Sequence, residues 1–215
     1  MPVPGSEPGR VRRALLAVFV VGAALVFALL AATYAHDPLA GWDRDVAVWV
    51  AGHLPVWVEW LARPFSWLGG WIGVALLCLS TIVVLLRDRA WLDLGFFLVA
   101  ALGSQVVVAV LKLWFDRPRP DLDPAIALPS STSFPSGHAT AGVATLGAAA
   151  VLVAERLPSR RARTGLWVLT VSLALLVGSS RVGLGVHYVS DVLAGWCLGL
   201  AWLAGCLLVR STLRR

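Results

Sequence analysis

The sequence predicts an all-α, polytopic membrane protein. Of its 215 residues, 59% are hydrophobic and only 14% are charged, whereas a soluble domain averages about 25% charged residues. The mean hydropathy is +0.81, and the apolar residues fall into runs of about 20 residues, the length of helix that crosses a bilayer. We therefore predict one domain with six transmembrane helices and with short interfacial helices between spans one and two.

The N-terminal end is predicted to be a tail followed by a retained span. Residues 1–13 contain repeated Pro and Gly and end in Arg, which is typical of a disordered segment. Span one is predicted at 14–33 and opens the single membrane domain, 14–215. A cleaved signal peptide would begin with a similar charge, but its apolar core is usually about 7 to 15 residues long.

Residues 35–64 differ from the spans because charged residues alternate there with tryptophans. Pro38 and Pro55 divide the segment. Trp favours the headgroup region, so we predict one or two short helices lying along the membrane surface. Two roles remain open, anchoring and lining the entrance through which a lipid headgroup reaches the site. The tryptophans are Trp42, Trp49, Trp57 and Trp60.

The remaining spans follow from hydropathy and from the turn residues between them. They are predicted at 65–86, 91–115, 138–154, 165–179 and 188–209. Gly195 and Gly199 in span six form a small-xxx-small pair that suits close helix packing. The loop 116–134 is rich in Pro and Ser and should be irregular and exposed to water.

The basic residues predict the orientation. In a six-span topology, twelve of the 18 Lys and Arg residues fall on one side, which the positive-inside rule makes cytoplasmic, together with both termini. The formal charge of +6 lies in short clusters beside apolar runs, so nucleic-acid binding is not expected. The twelve are Arg10, Arg12, Arg13, Arg87, Arg89, Arg156, Arg160, Arg161, Arg163, Arg210, Arg214 and Arg215.

Three further stretches meet at the extracytoplasmic face in this topology. Residues 112–120 (KLWFDRPRP) end span three, residues 135–138 (PSGH) open span four, and residues 180–191 (SRVGLGVHYVSD) join spans five and six. His187 and Asp191 are four residues apart, which places them on one helical face where the carboxylate can orient the imidazole. For the last stretch alone, a helix-end salt bridge is an equally good interpretation.

Together these stretches reproduce, in order and spacing, the patterns KxxxxxxRP, PSGH and SRxxxxxHxxxD. The sequence thereby resembles the bacterial membrane lipid phosphatases of the type 2 phosphatidic acid phosphatase (PAP2) superfamily. The resemblance implies that His187 is the nucleophile that forms a phosphohistidine, that His138 is the general acid and base, and that Asp191 orients His187. It also implies a phosphate-binding set consisting of Lys112, Arg119, Ser136, Gly137 and Arg181.

Elementary chemistry supports the same roles. A phosphoester gains charge on its non-bridging oxygens in the transition state, so catalysis requires fixed cations and helix N-terminal N–H groups. Nearby positive charges and partial burial should keep His187 neutral near pH 7 and able to attack phosphorus in line. His138 can then protonate the leaving group and later activate water.

No metal or cofactor is predicted. Cys78, Cys197 and Cys206 lie inside spans and have no C-x-x-C spacing. Asp121 and Asp123 lack the further oxygen ligands of a calcium loop and are interpreted as solvated loop acids. The sequence carries no signal for an oligomeric state.

The predicted function is metal-independent hydrolysis of a lipid phosphate or pyrophosphate in the bacterial plasma membrane. Candidate substrates are undecaprenyl pyrophosphate, phosphatidic acid, diacylglycerol pyrophosphate and phosphatidylglycerol phosphate. The resemblance favours a polyprenyl pyrophosphate, because outward-facing bacterial members of the superfamily commonly recycle that carrier. A transferase of phosphate headgroups is the nearer alternative, and a non-catalytic membrane packing or transport protein is the more distant one. The soluble vanadium haloperoxidases of the superfamily do not fit six apolar spans.

Overall fold

The computed structural model describes residues 7–35, 38–121 and 129–214, and these residues are predominantly helical. Among them, six segments are long and apolar enough to cross a membrane, which confirms the predicted all-α, six-span fold. The helices are α1 (Glu7–Ala35), α2 (Pro38–His53), α3 (Val56–Leu68), α4 (Trp71–Arg87), α5 (Trp91–Leu98), α6 (Ser104–Phe115), α7 (Gly137–Arg156), α8 (Arg160–Gly183) and α9 (Val189–Leu213). A π-helical segment, Val99–Gly103, joins α5 to α6 into one continuous span.

Several predicted boundaries differ from the structure. Helix α8 extends from Arg160 to Gly183, beyond the predicted span 165–179 at both ends. Helix α1 begins at Glu7, so residues 7–13 are helical, although they were predicted to belong to a disordered tail. The helix can include Pro8 because proline is tolerated in a first helical turn. Residues 1–6 lie outside the described residues. The predicted start of span two is also wrong, because α3 continues to Leu68 and the chain bends at Gly69 and Gly70 before α4. The bend packs closely on α8, where a Cβ added to Gly69 would collide with Val177.

Helix α7 lies at the centre of the bundle. It packs against α8, α9 and the α5–α6 span, and 61% of its most apolar window is buried. Gly195 and Gly199 of α9 face α7, as the small-xxx-small pair predicts. A Cβ at Gly195 would lie 2.6 Å from the carbonyl oxygen of Ser136, and one at Gly199 would lie 2.9 Å from that of Thr140. This close approach places the N-terminal ends of α7 and α9 side by side.

One end of the bundle carries a network of paired charges. Arg210 of α9 donates to Asp93 of α5 at 2.7 Å and to both carboxylate oxygens of Glu155 of α7 at 2.8 Å. Arg214 reaches the same two acids at 2.7 and 3.1 Å. The network ties three spans together at the end where the sequence places the cytoplasmic arginines.

Candidate active site

The three motif-bearing stretches converge at the other end of the bundle. The backbone N–H of Ser136 donates to the carbonyl of Asp191 at 3.0 Å, which joins the starts of α7 and α9. Arg119, in the loop after α6, donates to the carbonyl of Val186 at 2.7 Å, in the turn between α8 and α9. Segments that are distant in the sequence are therefore held together by direct hydrogen bonds.

His187 and Asp191 are paired, but in a different way from the predicted one. Helix α9 begins at Val189, so His187 lies in the preceding turn and the two residues do not share a helical face. The contact forms because Asp191 caps its own helix. Its Oδ2 accepts from the backbone N–H of Tyr188 at 2.9 Å and lies 3.3 Å from Nδ1 of His187. Ser133 Oγ also donates to Oδ2. The carboxylate is fully buried, so its position is fixed.

The hydrogen bonds of His187 define its tautomer. Nδ1 faces Asp191, while Nε2 lies 3.0 Å from Nη1 of Arg119. A guanidinium group can only donate, so Nε2 must be the acceptor and the proton resides on Nδ1. Burial is the main cause that lowers the pKa of His187 to about 4; Arg119 and Lys112 act in the same direction, and Asp191 opposes them. The imidazole is therefore neutral at pH 7, with a lone pair on Nε2 that faces the cations of the site.

The three predicted phosphate-binding cations have only neutral hydrogen-bond partners within the described part of the chain. Lys112 donates to the carbonyl of Thr132, and Arg119 donates to the carbonyl of Ser131 at 2.7 Å. Arg181 lies in the last turn of α8 and donates through Nη1 to Ser66 of α3. Its Nε is buried and has no hydrogen-bond partner among the residues that the structure describes. Arg181 is buried, whereas Lys112 and Arg119 are partly buried. Cations at such positions are costly without a carboxylate partner, so this end of the bundle is suited to an anion.

The start of α7 completes the cluster. Ser136 is fully buried and caps α7 by accepting from the N–H of Ala139 at 3.5 Å. The first N–H groups of a helix have no acceptor within it, and Gly137 and His138 supply two of them here. The charges of Arg181, Arg119 and Lys112 all act on the His138 ring. That ring makes no hydrogen bond to a described residue, so it is free to contact a substrate.

The structure adds residues that the motifs did not identify as functional. Arg117 donates to Oδ1 of Asp191 at 2.6 Å and to Oδ2 of Asp43 at 2.8 Å. Asp43 belongs to α2, and Ser66 belongs to α3, so the Trp-rich segment and its continuation contribute to the site. Spacing alone could not reveal Asp43, which stands 74 residues from Arg117. Ser133 lies in a Ser-rich loop whose composition predicts exposure to water, so its contact with Asp191 could not be predicted.

The loop acids that were interpreted as solvated and the histidine of α2 lie outside the site where they are described. Asp121 is exposed, and Asp123 lies outside the described residues. His53 is exposed and its ring contacts the Trp49 carbonyl at 2.9 Å. Within the ranges that the structure covers, no three His, Cys, Asp or Glu side chains gather as a metal site would require.

The comparisons with known proteins agree with this geometry. The sequence-family model of the PAP2 superfamily matches residues 93–215. Phosphatidylglycerophosphatase B of Bacillus subtilis is 38% identical over 108 residues, which are 49% of this chain and 53% of that protein. Decaprenylphosphoryl-5-phosphoribose phosphatase of Mycobacterium tuberculosis is 40% identical over 134 residues, which are 60% of this chain and 66% of that protein. The matches thus span between half and two thirds of the length of these relatives.

A solved structure extends the likeness to the whole fold. The crystal structure of a transmembrane PAP2 type phosphatidylglycerolphosphate phosphatase from Bacillus subtilis superposes with a TM-score of 0.83 at 27% sequence identity. The superposition covers 91% of this chain and 98% of that one. Because the family model matches more than half of the chain, over the region that carries all three motifs, the protein belongs to the PAP2 superfamily.

Proposed function

We propose that the protein hydrolyses a phosphate or pyrophosphate group of a membrane lipid through a phosphohistidine formed on Nε2 of His187. The observation that carries this proposal is the pairing of Nε2 with Arg119 while Asp191 holds Nδ1. A neutral imidazole, oriented by a buried carboxylate and facing cations that lack carboxylate partners, is suited to attack a phosphorus atom.

Substrate binding would rearrange one contact. Arg119 now donates to the Nε2 lone pair at 3.0 Å, so its guanidinium must turn towards the phosphate oxygens before attack. Lys112 and Arg181 would bind the remaining oxygens together with the N–H groups at the start of α7. These donors are fixed before charge develops on the oxygens, which is the main source of catalysis in phosphoryl transfer.

The proposed reaction has two steps. In the first, Nε2 attacks phosphorus, the bond from phosphorus to the leaving oxygen breaks, and His138 gives that oxygen a proton. Asp191 stabilises the positive charge on the phosphorylated ring. In the second step, water attacks phosphorus while His138 takes its proton, and the bond from Nε2 to phosphorus breaks. Inorganic phosphate leaves and both histidines return to their starting states.

The relatives indicate a lipid-linked substrate without fixing which one. One is named for phosphatidylglycerophosphate and the other for a decaprenyl-linked phosphoribose phosphate. We propose a polyprenyl-linked phosphate or pyrophosphate as the first candidate and phosphatidylglycerol phosphate as the second. The basic residues near Arg156 and Arg210 lie at the opposite end of the bundle, so the positive-inside rule supports an extracytoplasmic site.

The test is phosphate release by the purified protein in detergent micelles. The substrate panel comprises undecaprenyl pyrophosphate, phosphatidylglycerol phosphate, phosphatidic acid and diacylglycerol pyrophosphate, each with and without EDTA. We expect turnover of at least one lipid that EDTA leaves unchanged. His187→Ala should show none, whereas His53→Ala, which alters an exposed histidine, should match the wild type. Failure of the wild-type protein on every lipid, loss of turnover in EDTA, or wild-type rates in His187→Ala would contradict the proposal.

The same assay with a ³²P-labelled phosphate group on the lipid distinguishes a hydrolase from a headgroup transferase, because thin-layer chromatography shows where the label goes. A hydrolase yields inorganic phosphate as the only labelled product, even when acceptor lipids are present. Label that moves onto an acceptor lipid would instead identify the transferase.

A further inference from the structure

Helix α2 places a buried carboxylate behind the His187–Asp191 pair. Asp43 is fully buried, although its neighbours Arg44 and Asp45 are exposed. Its Oδ2 accepts from Nη2 of Arg117 at 2.8 Å and from the hydroxyl of Ser190. Its Oδ1 accepts from the backbone N–H of Ser190 at 3.1 Å, in the first turn of α9. A segment outside all three motifs therefore contacts the helix that carries Asp191.

Arg117 is shared between two carboxylates. Nη1 donates to Asp191 at 2.6 Å and to Ser190 at 2.8 Å, while Nη2 donates to Asp43. The guanidinium also lies 4.2 Å from the centre of the Tyr188 ring. The three charged groups, Asp43, Arg117 and Asp191, carry a net charge of minus one in a region from which water is largely excluded. Arg117 contacts Oδ1 of Asp191, whereas Oδ2 is the oxygen that faces His187.

Removal of the Asp43 charge would change the electrostatic environment of Asp191 without altering the histidine itself. Arg117 would then lose one of its two carboxylate partners described here, and its charge would offset that of Asp191 more fully. A carboxylate whose charge is matched by an adjacent cation stabilises a developing imidazolium less well. Phosphorylation of His187 creates such a cation, so the charge of Asp43 matters most in the transition state.

We propose that Asp43 is a positioning residue for the reaction, because it neutralises Arg117 and so leaves the charge of Asp191 to His187. The inference rests on the proposed phosphohistidine mechanism and assigns a function to the Trp-rich segment between the first two spans. Asp43 also binds the N–H of Ser190, so a purely structural role as a cap of α9 must be distinguished from the role in catalysis.

The first test compares two neighbouring substitutions on α2 in the phosphate-release assay. Asp43→Asn keeps the shape of the side chain and removes its charge. We expect kcat to fall by about 10- to 100-fold, the loss that follows when the outer carboxylate behind a metal-bound histidine is substituted, while KM changes by less than about twofold. Asp45→Asn removes the same charge from the exposed neighbour and should leave both constants unchanged. A folded Asp43→Asn protein with the kcat of the wild type would overturn the inference.

The second test removes the group through which Asp43 is proposed to act. In the double variant Asp43→Asn with Arg117→Gln, the cation that would offset the charge of Asp191 is removed together with Asp43, so the net charge of the three positions stays at minus one. We expect this variant to retain kcat within about tenfold of the wild type and above that of Asp43→Asn. If Asp43→Asn does not fold, the double variant decides alone, and a loss of more than about tenfold overturns the inference.

The outcomes separate this inference from the proposed function. A wild-type protein that releases phosphate from none of the lipids removes the function itself. A wild-type protein that turns over, together with an Asp43→Asn protein that is equally active, removes only the role of Asp43.

Discussion

The two ends of the helix bundle treat buried charge in opposite ways. At the far end Arg210 is 4% exposed at its side chain and is matched by Asp93 and Glu155, with Arg214 added at the rim. At the site end Lys112 and Arg119 both donate to the carbonyl of Thr132, and neither they nor Arg181 form an ion pair within the described residues. Since burial of an unmatched charge is expensive, the far end is suited to hold the spans together and the site end is suited to hold an anion.

The same contrast appears within a single motif. Arg117 and Arg119 are separated by one proline, yet Arg117 binds two carboxylates and Arg119 binds carbonyls and the ring of His187. The first arginine is part of the protein's internal charge balance. The second retains an unmatched charge that a phosphate group can satisfy.

The largest expected effect comes from Asp191→Asn at the site end. The amide can donate a hydrogen bond to Nδ1 of His187, which would favour the tautomer with the proton on Nε2 and remove the lone pair needed for attack. We expect kcat to fall by about 10³- to 10⁴-fold, as in the comparable Asp-to-Asn change in a serine protease triad. Substrate affinity and the folded state should be largely retained. A kcat within tenfold of the wild type would show that Asp191 does not set the tautomer.

A smaller effect is expected from Arg181→Gln. This change removes a cation whose Nε has no protein partner among the described residues, so the loss should fall on the substrate phosphate. We expect kcat/KM to fall by about 10²- to 10³-fold, the usual cost of one donor to a developing oxyanion. Arg63→Gln, which removes an exposed arginine of α3, is the matched control and should have no effect. Equal rates for Arg181→Gln and Arg63→Gln would argue against a phosphate at this position.

At the far end the expected effect is on stability. Arg210→Gln leaves Asp93 and Glu155 with Arg214 as their only cation among the described residues, and it should lower stability by about 1–3 kcal/mol, because both acids are partly exposed and screened. A lower midpoint of thermal denaturation in detergent would report this loss. Activity per folded molecule should not change. Arg156→Gln breaks the exposed pair with Asp88 and should cost less than about 1 kcal/mol. A loss of activity per folded molecule in Arg210→Gln would contradict the division between the two ends.

The smallest expected effect is a shift of the pH profile. The unprotonated form of His187 is the reactive one, so kcat/KM should rise with pH through the pKa of about 4 and stay high at neutral pH. Arg119 lowers that pKa, and removal of its charge in Arg119→Gln should move the acid limb to higher pH. The same variant should also lose kcat/KM at every pH, because it loses a phosphate contact. An acid limb that does not move would exclude His187 as the group that titrates.

Much of this architecture could be predicted from the sequence, and the exceptions share one cause. Hydropathy over about 20 residues identifies a span wherever it packs, and the order of spans brings the three motifs to one face. The bend at Gly69 and Gly70 depends instead on how closely α3 and α8 approach each other. The Asp43–Arg117 pair likewise depends on the placement of α2. His187 and Asp191 were paired correctly, but capping of α9 creates the contact, and a spacing of four residues cannot distinguish a cap from a shared face.

The central claim is that His187 accepts the phosphoryl group, and trapping of the phosphoenzyme tests it most directly. The purified protein would be mixed with a ³²P-labelled lipid substrate from the panel and quenched within the first turnover. The expected result is an acid-labile, base-stable label on the peptide that contains His187, and its absence in His187→Ala. Rapid turnover with no such label, or a label that persists in His187→Ala, would contradict the proposed mechanism.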